Sequence, residues 1–216
     1  RLKAEVVVDI CNLPPIIKKR TSMNNVLDFD LILQTDIIIL RPLISDDYNS
    51  FDKSTNDKSM WIYFTSDLSD KTELKDWIDN AIIETKNKIR LAFTIIDKLT
   101  NSPIGSTSYG NISYKDKRVE IGWTWISKDF QGTGINNQIK YLMIKHMFEK
   151  LNFERIEFKT DVLNVRARKA LIRIGTKEEG ILRSHTLRTH NRRRDTIYYS
   201  VLKSEWNDMK IKNNWR

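Results

Sequence analysis

Two glycines stand in the run Gln131-Gly132-Thr133-Gly134-Ile135-Asn136, directly ahead of a stretch with helical spacing. A glycine-rich turn feeding a helix N-terminus aims free backbone N–H groups and the positive end of the helix dipole at whatever lies in front of it. That makes a phosphate cradle. Upstream, the segment RVEIGWTWI alternates, which puts Val119, Ile121, Trp123 and Trp125 on one face and Glu120, Gly122 and Thr124 on the other. Glu120 is then a lone carboxylate among small residues, able to take a proton directly or through water if its face lines a cleft. The ordinary alternative is a structural glutamate paired with a Lys or Arg of the next strand. Asn164 precedes VRARKALIRI at a helix N-cap position, which alone accounts for its residue type and leaves open a second role toward a bound cofactor. Trp123 and Trp125 fit a core as well as a site, and Gln131 can simply bond local backbone.

Two nucleotide-binding readings of the cradle fail on spacing. A Walker-type loop ends in Gly-Lys-Ser/Thr so that the lysine reaches the terminal phosphates, whereas Gly134 is followed by Ile135 and Asn136. A dinucleotide fingerprint needs a third glycine where Asn137 stands, and it belongs to a first βαβ unit, whereas the strands before this turn read as a meander.

The elements around these residues can be read from periodicity. A strand is expected at Ile37–Leu43, with Ser45, Asp46 and Asp47 capping a following helix. In SDKTELKDWIDNAIIETKNK the spacing of Leu74, Ile78, Ala81 and Ile82 predicts a second helix. RLAFTIID, IGSTSYGNISY and RVEIGWTWI, joined by short turns, predict an antiparallel meander. After the glycine turn, Ile135, Ile139, Leu142, Met143 and Met147 share a face, so Asn136–Leu151 reads as a helix ended by a left-handed Asn152. ERIEFKTDV is a strand with Ile156, Phe158 and Thr160 on its dry face. The helix opened by Asn164 carries Ala167, Ala170, Leu171 and Ile174 on one side and stops at Gly175. TKEEGILRS and RDTIYYSVLK close the chain as two more strands.

Composition sets the remaining bounds. A chain of 216 residues with 40% hydrophobic content supports one domain with a real core. The domain is read as residues 23–216, and residues 1–22 as an upstream extension or expression remnant, with a native arm as the alternative. No apolar run approaches the roughly 18 residues a membrane span needs, so a cytoplasmic protein is expected. The single Cys11 excludes an internal disulfide or a Cys-rich metal site, and three scattered His show no ligand spacing, so no metal is expected. Of the formal charge of +9, residues 1–22 carry +3. Between Arg183 and Arg194 there are five Arg and no acid. Three readings fit that run: a solvated hairpin loop, a mouth that attracts an anionic cofactor or an acidic protein, and a nucleic-acid patch. Base-stacking aromatics are not interleaved with these arginines, which weighs against the last.

The ordered set formed by Glu120 and the paired Trp, the turn Gln131–Asn136, Asn164 to Gly175, ILRPL near the start and RDTIYYSVLKSEW at the end resembles the Gcn5-related N-acetyltransferases. Within them it resembles the RimJ/RimL-like branch, the ribosomal-protein-alanine acetyltransferases. The likeness covers about residues 35–207. It implies an α+β fold with a twisted mixed sheet whose strands at Val119–Ile126 and Glu154–Val162 splay apart, flanked by helices. Acetyl-CoA would lie in that gap as cosubstrate. Its pantetheine arm would pair with backbone near Trp125 and Ile126, while Gln131, Gly132, Thr133, Gly134, Ile135 and Asn136 would form the pyrophosphate loop and Asn164 would meet the cofactor. Glu120 would be the base that leaves an acceptor amine neutral. Val165–Ile174 offers no Ser or Tyr to protonate the departing thiolate, and Ala167 stands where a Ser is frequent, so water or the Asn164 amide is left for that task.

The activity so implied is direct acetyl transfer to a primary amine, with Cys11 outside the motif region and no acyl-enzyme expected. The acceptor reads as a protein N-terminal amine, an acidic one for so basic a chain. Polyamines, amino sugars and amino acids are the alternatives, and a non-catalytic module binding protein or nucleic acid is the alternative of another class. A homodimer is compatible with this reading. Neither membrane nor nucleic acid is expected as a partner.

Overall fold

The computed structural model describes residues 26–188 and 192–215, so the reading of residues 1–22 lies outside the described residues. The described chain is a mixed α/β structure built on one open eight-stranded sheet. Its strands are β1 (Leu33–Gln34), β2 (Ile38–Pro42), β3 (Leu91–Asp97), β4 (Ser102–Ser113), β5 (Arg118–Ile126), β6 (Arg155–Asp161), β7 (Lys177–Leu187) and β8 (Arg193–Leu202). Its helices are α1 (Tyr48–Thr55), α2 (Lys71–Lys86), α3 (Ile135–Lys145), α4 (Val165–Ile174) and α5 (Trp206–Asn213). The spatial order is β1-β2-β3-β4-β5-β6-β8-β7. Neighbours run antiparallel except β5 and β6, which are parallel. No described helix is long and apolar enough to cross a membrane.

Each face of the sheet has its own core. On one face Val119, Ile121 and Ile126 of β5 and Ile156 and Phe158 of β6 pack with Ile139, Met143 and Met147 from α3 and its extension, joined by Leu171 of α4 and Trp206 of α5. On the other, Phe51 of α1 and Leu74, Ile78 and Ala81 of α2 cover Ala92 of β3 and Trp125 of β5. This second layer stops short of β6 and β8. A polar stretch of sheet therefore stays uncovered beside the end of α2.

Local structure follows the residue types closely. Asp70 caps α2 by accepting from the N–H groups of Thr72 and Glu73. Asn164 caps α4 through the Ala167 N–H at 3.0 Å, and Gly175 ends it with φ 108°. The third helix begins one residue before the predicted start. Its regular part ends at Lys145, after which a wider π-type turn, His146–Lys150, carries the chain to Asn152 at φ 58°. Ser45–Asp47 forms a short 3₁₀ turn ahead of α1. The Asp47 side chain does not cap α1; it is buried and binds Arg41, the Thr94 hydroxyl and the Ile44 N–H.

Candidate active site

Strands β5 and β6 are paired over only three rungs, Arg118 with Arg155, Val119 with Ile156 and Glu120 with Glu157. Beyond Glu120 the two strands separate. The cause lies on the other side of β5, where Ser106 faces Trp125 and Ser108 faces Gly122, so Trp123 and Thr124 together oppose the single residue Thr107. Trp123 takes φ 51° in this bulge. A two-against-one bulge bends its strand and increases its twist, which turns the end of β5 away from β6.

The bulge overturns one sequence expectation. Strict alternation would keep Trp123 and Trp125 on the face of Val119 and Ile121, but the inserted residue inverts the phase. Trp125 lies on the opposite face, its ring set edge-on to Phe51 and Trp61. Trp123 packs on Gly110, where any Cβ would meet the indole at 2.6 Å, and lies under the Arg90 guanidinium at 5.1 Å. Thr124, expected beside Glu120, instead bonds Thr107 at 2.8 Å on the face of α3.

Glu120 sits at the fork, on the face left open by α2. It is buried, accepts from Asn111 Nδ2 at 2.6 Å and pairs with Lys159 Nζ at 2.9 Å. The carboxylate lines a pocket of about 600 Å³ together with Lys88, Arg118, Glu157, Lys159 and Tyr198. Asn111 escaped the sequence reading, whereas Lys159 is the next-strand lysine that the ordinary alternative for Glu120 invoked. The alternation of β6 held the signal for Lys159, since Arg155, Glu157 and Lys159 form its wet face and a parallel neighbour in register presents that face beside Glu120.

The glycine turn stands at the other end of the gap. Gly132 and Gly134 take φ 83° and 93°, and nothing lies within 4 Å of where their Cβ atoms would be. That conformation favours glycine, and it leaves the backbone open to close approach. The first helical bonds are made by Asn137 and Gln138 to the Gly134 carbonyl, so Ile135 and Asn136 present helix-start N–H groups with no intrahelical partner, and the backbone of Gly132, Thr133 and Gly134 leads directly into them. Ile135 is buried and anchors the first turn, while the Thr133 hydroxyl braces the loop against the Phe130 carbonyl at 2.8 Å. These donors suit a pyrophosphate, and the parted strands suit an extended arm leading from it, so the residues present fit acetyl-CoA.

Gln131 has a double structural task. Its Nε2 donates to the Ile126 carbonyl at 2.7 Å, and its Oε1 accepts from Arg166 of α4 at 2.6 Å, linking the turn to α4 beside the gap. The backbone of Trp125 and Ile126 lies on the half of β5 that pairs with β4 but not with β6, and the Ile126 carbonyl is already engaged by Gln131. Asn164 caps α4 through its Oδ1. Among the described residues, no group of three or more His, Cys, Asp or Glu is placed to hold a metal.

The arginine-rich hairpin differs from a solvated loop. Residues 189–191 are outside the described residues, but Arg188 and Arg194 are buried. Arg188 donates to the carbonyls of Phe64 at 2.6 Å and Trp61 at 2.9 Å and pairs with Asp161 at 3.5 Å. Arg192 also pairs with Asp161. Burial holds both the Arg188 and Arg194 guanidiniums below their usual range. Arg188 thereby clamps the end of β6 to the segment that follows α1.

Three comparisons with known proteins agree with this geometry. A family described as the acetyltransferase (GNAT) domain matches residues 38–177. YdaF of Bacillus subtilis (strain 168), provisionally named a ribosomal N-acetyltransferase, is 36% identical over 102 residues, which is 47% of this chain and 55% of YdaF. The match thus spans about half of that relative. The uncharacterized N-acetyltransferase p20 of Bacillus licheniformis is 26% identical over 178 residues, covering 81% of this chain and 97% of p20. The crystal structure of a GCN5-related N-acetyltransferase from Brucella melitensis superposes with a TM-score of 0.78 at 24% identity, over 86% of this chain and 84% of that one, a likeness of fold.

Proposed function

The chain belongs to the GNAT family of acetyltransferases, and from that premise we propose that it moves acetyl from acetyl-CoA to a protein N-terminal amine, with Glu120 as the base. The observation that carries this reading is the position of Glu120, at the last rung before the strands part and on the wall of an open polar pocket. Acetyl-CoA supplies the acyl group as a thioester already activated toward amines. The backbone donors of Gly132–Asn136 hold its pyrophosphate, and the edge of β5 left unpaired by β6 orients the arm toward the fork. An acceptor entering from the pocket meets Glu120, which takes the amine's proton directly or through one water as the carbon–nitrogen bond forms. Asn111 and Lys159 fix the carboxylate in place for that transfer.

The pocket lining favours an acceptor that brings negative charge. Lys88, Arg118 and Lys159 outnumber Glu120 and Glu157 there, and Glu157 is itself matched by Arg155 at 2.8 Å. A polyamine would bring further cations into this lining, whereas a peptide with an acidic residue near its amine complements it. The name of YdaF supports a protein acceptor in the same direction. The deciding experiment is an acetyl-CoA turnover screen over peptides with free N-termini, acidic and basic in their first residues, beside polyamines, amino sugars and amino acids. Acidic peptides should turn over fastest. Preference for a polyamine or an amino sugar would overturn the peptide assignment.

A further inference from the structure

Lys140 is a buried cation in a place where helix packing ordinarily puts an apolar side chain. It projects from α3 into the core between the parted strands and is 5% exposed. Its Nζ donates to Thr124 Oγ1 on β5 at 3.1 Å and lies 5.6 Å from the ring centroid of Phe158 on β6. It therefore touches both strands just past the rung where they separate. Among the described residues it has no ion pair; Thr124 is its hydrogen-bond acceptor, and Thr124 passes the contact on to Thr107. Desolvation pushes the amine down to about 7. Packing does not account for so costly a group, since a methionine of similar length would fill the same space.

The chemistry of the fork has one task without an owner. Expulsion of CoA leaves a thiolate, and α4 carries no Ser, Thr or Tyr to meet it. Asn164 uses only its Oδ1 for its cap, and its amide N–H can hydrogen-bond a thiolate but is too weak an acid to protonate it; the Tyr199 hydroxyl is held by Arg168 and Glu178. Glu120 and Lys140 reach the gap from opposite faces of the sheet.

We propose that Lys140 is a catalytic acid that protonates the departing thiolate of CoA, from the face of the sheet opposite Glu120. The inference rests on the acetyltransferase reading above. The acceptor nitrogen forms its bond to the acetyl carbon, the carbon–sulfur bond breaks with its electron pair left on sulfur, and sulfur takes one proton from Lys140 Nζ. The surplus proton of the new amide nitrogen goes to Glu120. Exchange with solvent after product release restores the ammonium and the carboxylate. An acid that titrates near neutral pH is well matched to a thiol, whose ordinary value is about 8.5.

The test uses the full chain, the variants Lys140→Met and Thr124→Val, and CoA as the probe. The ultraviolet absorbance of the thiolate, followed against pH in the bound complex, reports the ionisation of the thiol without any turnover. In the parent the thiol should ionise at least one pH unit lower than in Lys140→Met, with Thr124→Val between them. Turnover of Lys140→Met should fall at least tenfold while its affinity for acetyl-CoA stays within about threefold. A bound thiol that titrates alike in parent and Lys140→Met, in proteins that both bind CoA and acetylate amines, overturns this inference alone. A parent that binds no CoA overturns the acetyltransferase reading and this inference with it.

Discussion

Glu120 and Glu157 face one another across the last rung that joins the two parallel strands. Two carboxylates so placed repel unless cations intervene, and here Lys159 meets the first at 2.9 Å while Arg155 and Arg118 meet the second at 2.8 and 3.6 Å. The fork is thus a lattice of alternating charge, and only one of its two acids lies on the strand that bends away.

Replacing Glu120 by Gln keeps the size of the side chain and its acceptance from Asn111 but removes its capacity to take a proton. The chemical step should slow by roughly 10²–10⁴ while acetyl-CoA affinity stays near that of the parent. Raising the pH should recover part of the loss, because more of the acceptor amine is then neutral without help. Steady-state rates against pH decide the matter, with melting curves alongside. A variant within about threefold of the parent at neutral pH would falsify the catalytic role.

Gly134→Val should weaken acetyl-CoA binding at least tenfold and leave the chain folded. Space for the side chain is open, so the effect comes from obstructing the approach of an anion and from placing a β-branched residue at φ 93°. Calorimetric titration with acetyl-CoA reads it out, and unchanged affinity would remove the cradle assignment.

Arg188→Ala should destabilise the fold by about 2–4 kcal/mol, since it leaves two carbonyls and a buried aspartate short of a partner. Thermal or denaturant unfolding measures this. A loss no larger than that of an exposed arginine on the same hairpin, such as Arg183, would mean the clamp is not a structural one.

Lys140→Met should raise stability, most strongly in acid. The amine is pushed from 10.5 to about 7 in the fold, so between those values the unfolded chain holds the extra proton and stability climbs with pH. Below about pH 7 the cost of burying the charge is present in full. The variant should therefore melt well above the parent near pH 6, with the gap narrowing toward pH 10. Melting temperatures that differ equally at both ends would show that the folded amine titrates as an ordinary lysine.

Much of this architecture could be read from the chain because its signals are local. The meander, the helix after the glycine turn, the dry face of β6 and the Asn164-to-Gly175 helix each depend on periodicity or caps within a few residues. The phase inversion at Trp123 was hidden, since a bulge is fixed by which residues of β4 stand opposite, and RVEIGWTWI alternates as well as a regular strand would. The arginines of the hairpin misled for a similar reason. Their partners, Asp161 and the carbonyls of Trp61 and Phe64, are remote in sequence, and a charge run carries no mark of what will cover it. Lys140 adjoins the apolar stripe of α3, and sequence alone could not tell whether its amine points to solvent or into the gap.

The bulge at Trp123 makes β5 two strands spliced into one, with opposite parity on either side of the splice. Before it the odd-numbered Val119 and Ile121 face α3; after it the even-numbered Thr124 and Ile126 do. On the proposed reading, substitution at Gly122 would reshape the wall that meets the acceptor, whereas substitution at Thr124 and Ile126 would alter the wall behind the donor. The two walls lie on faces with separate cores, so on that reading the acceptor side could vary while the donor side stays fixed.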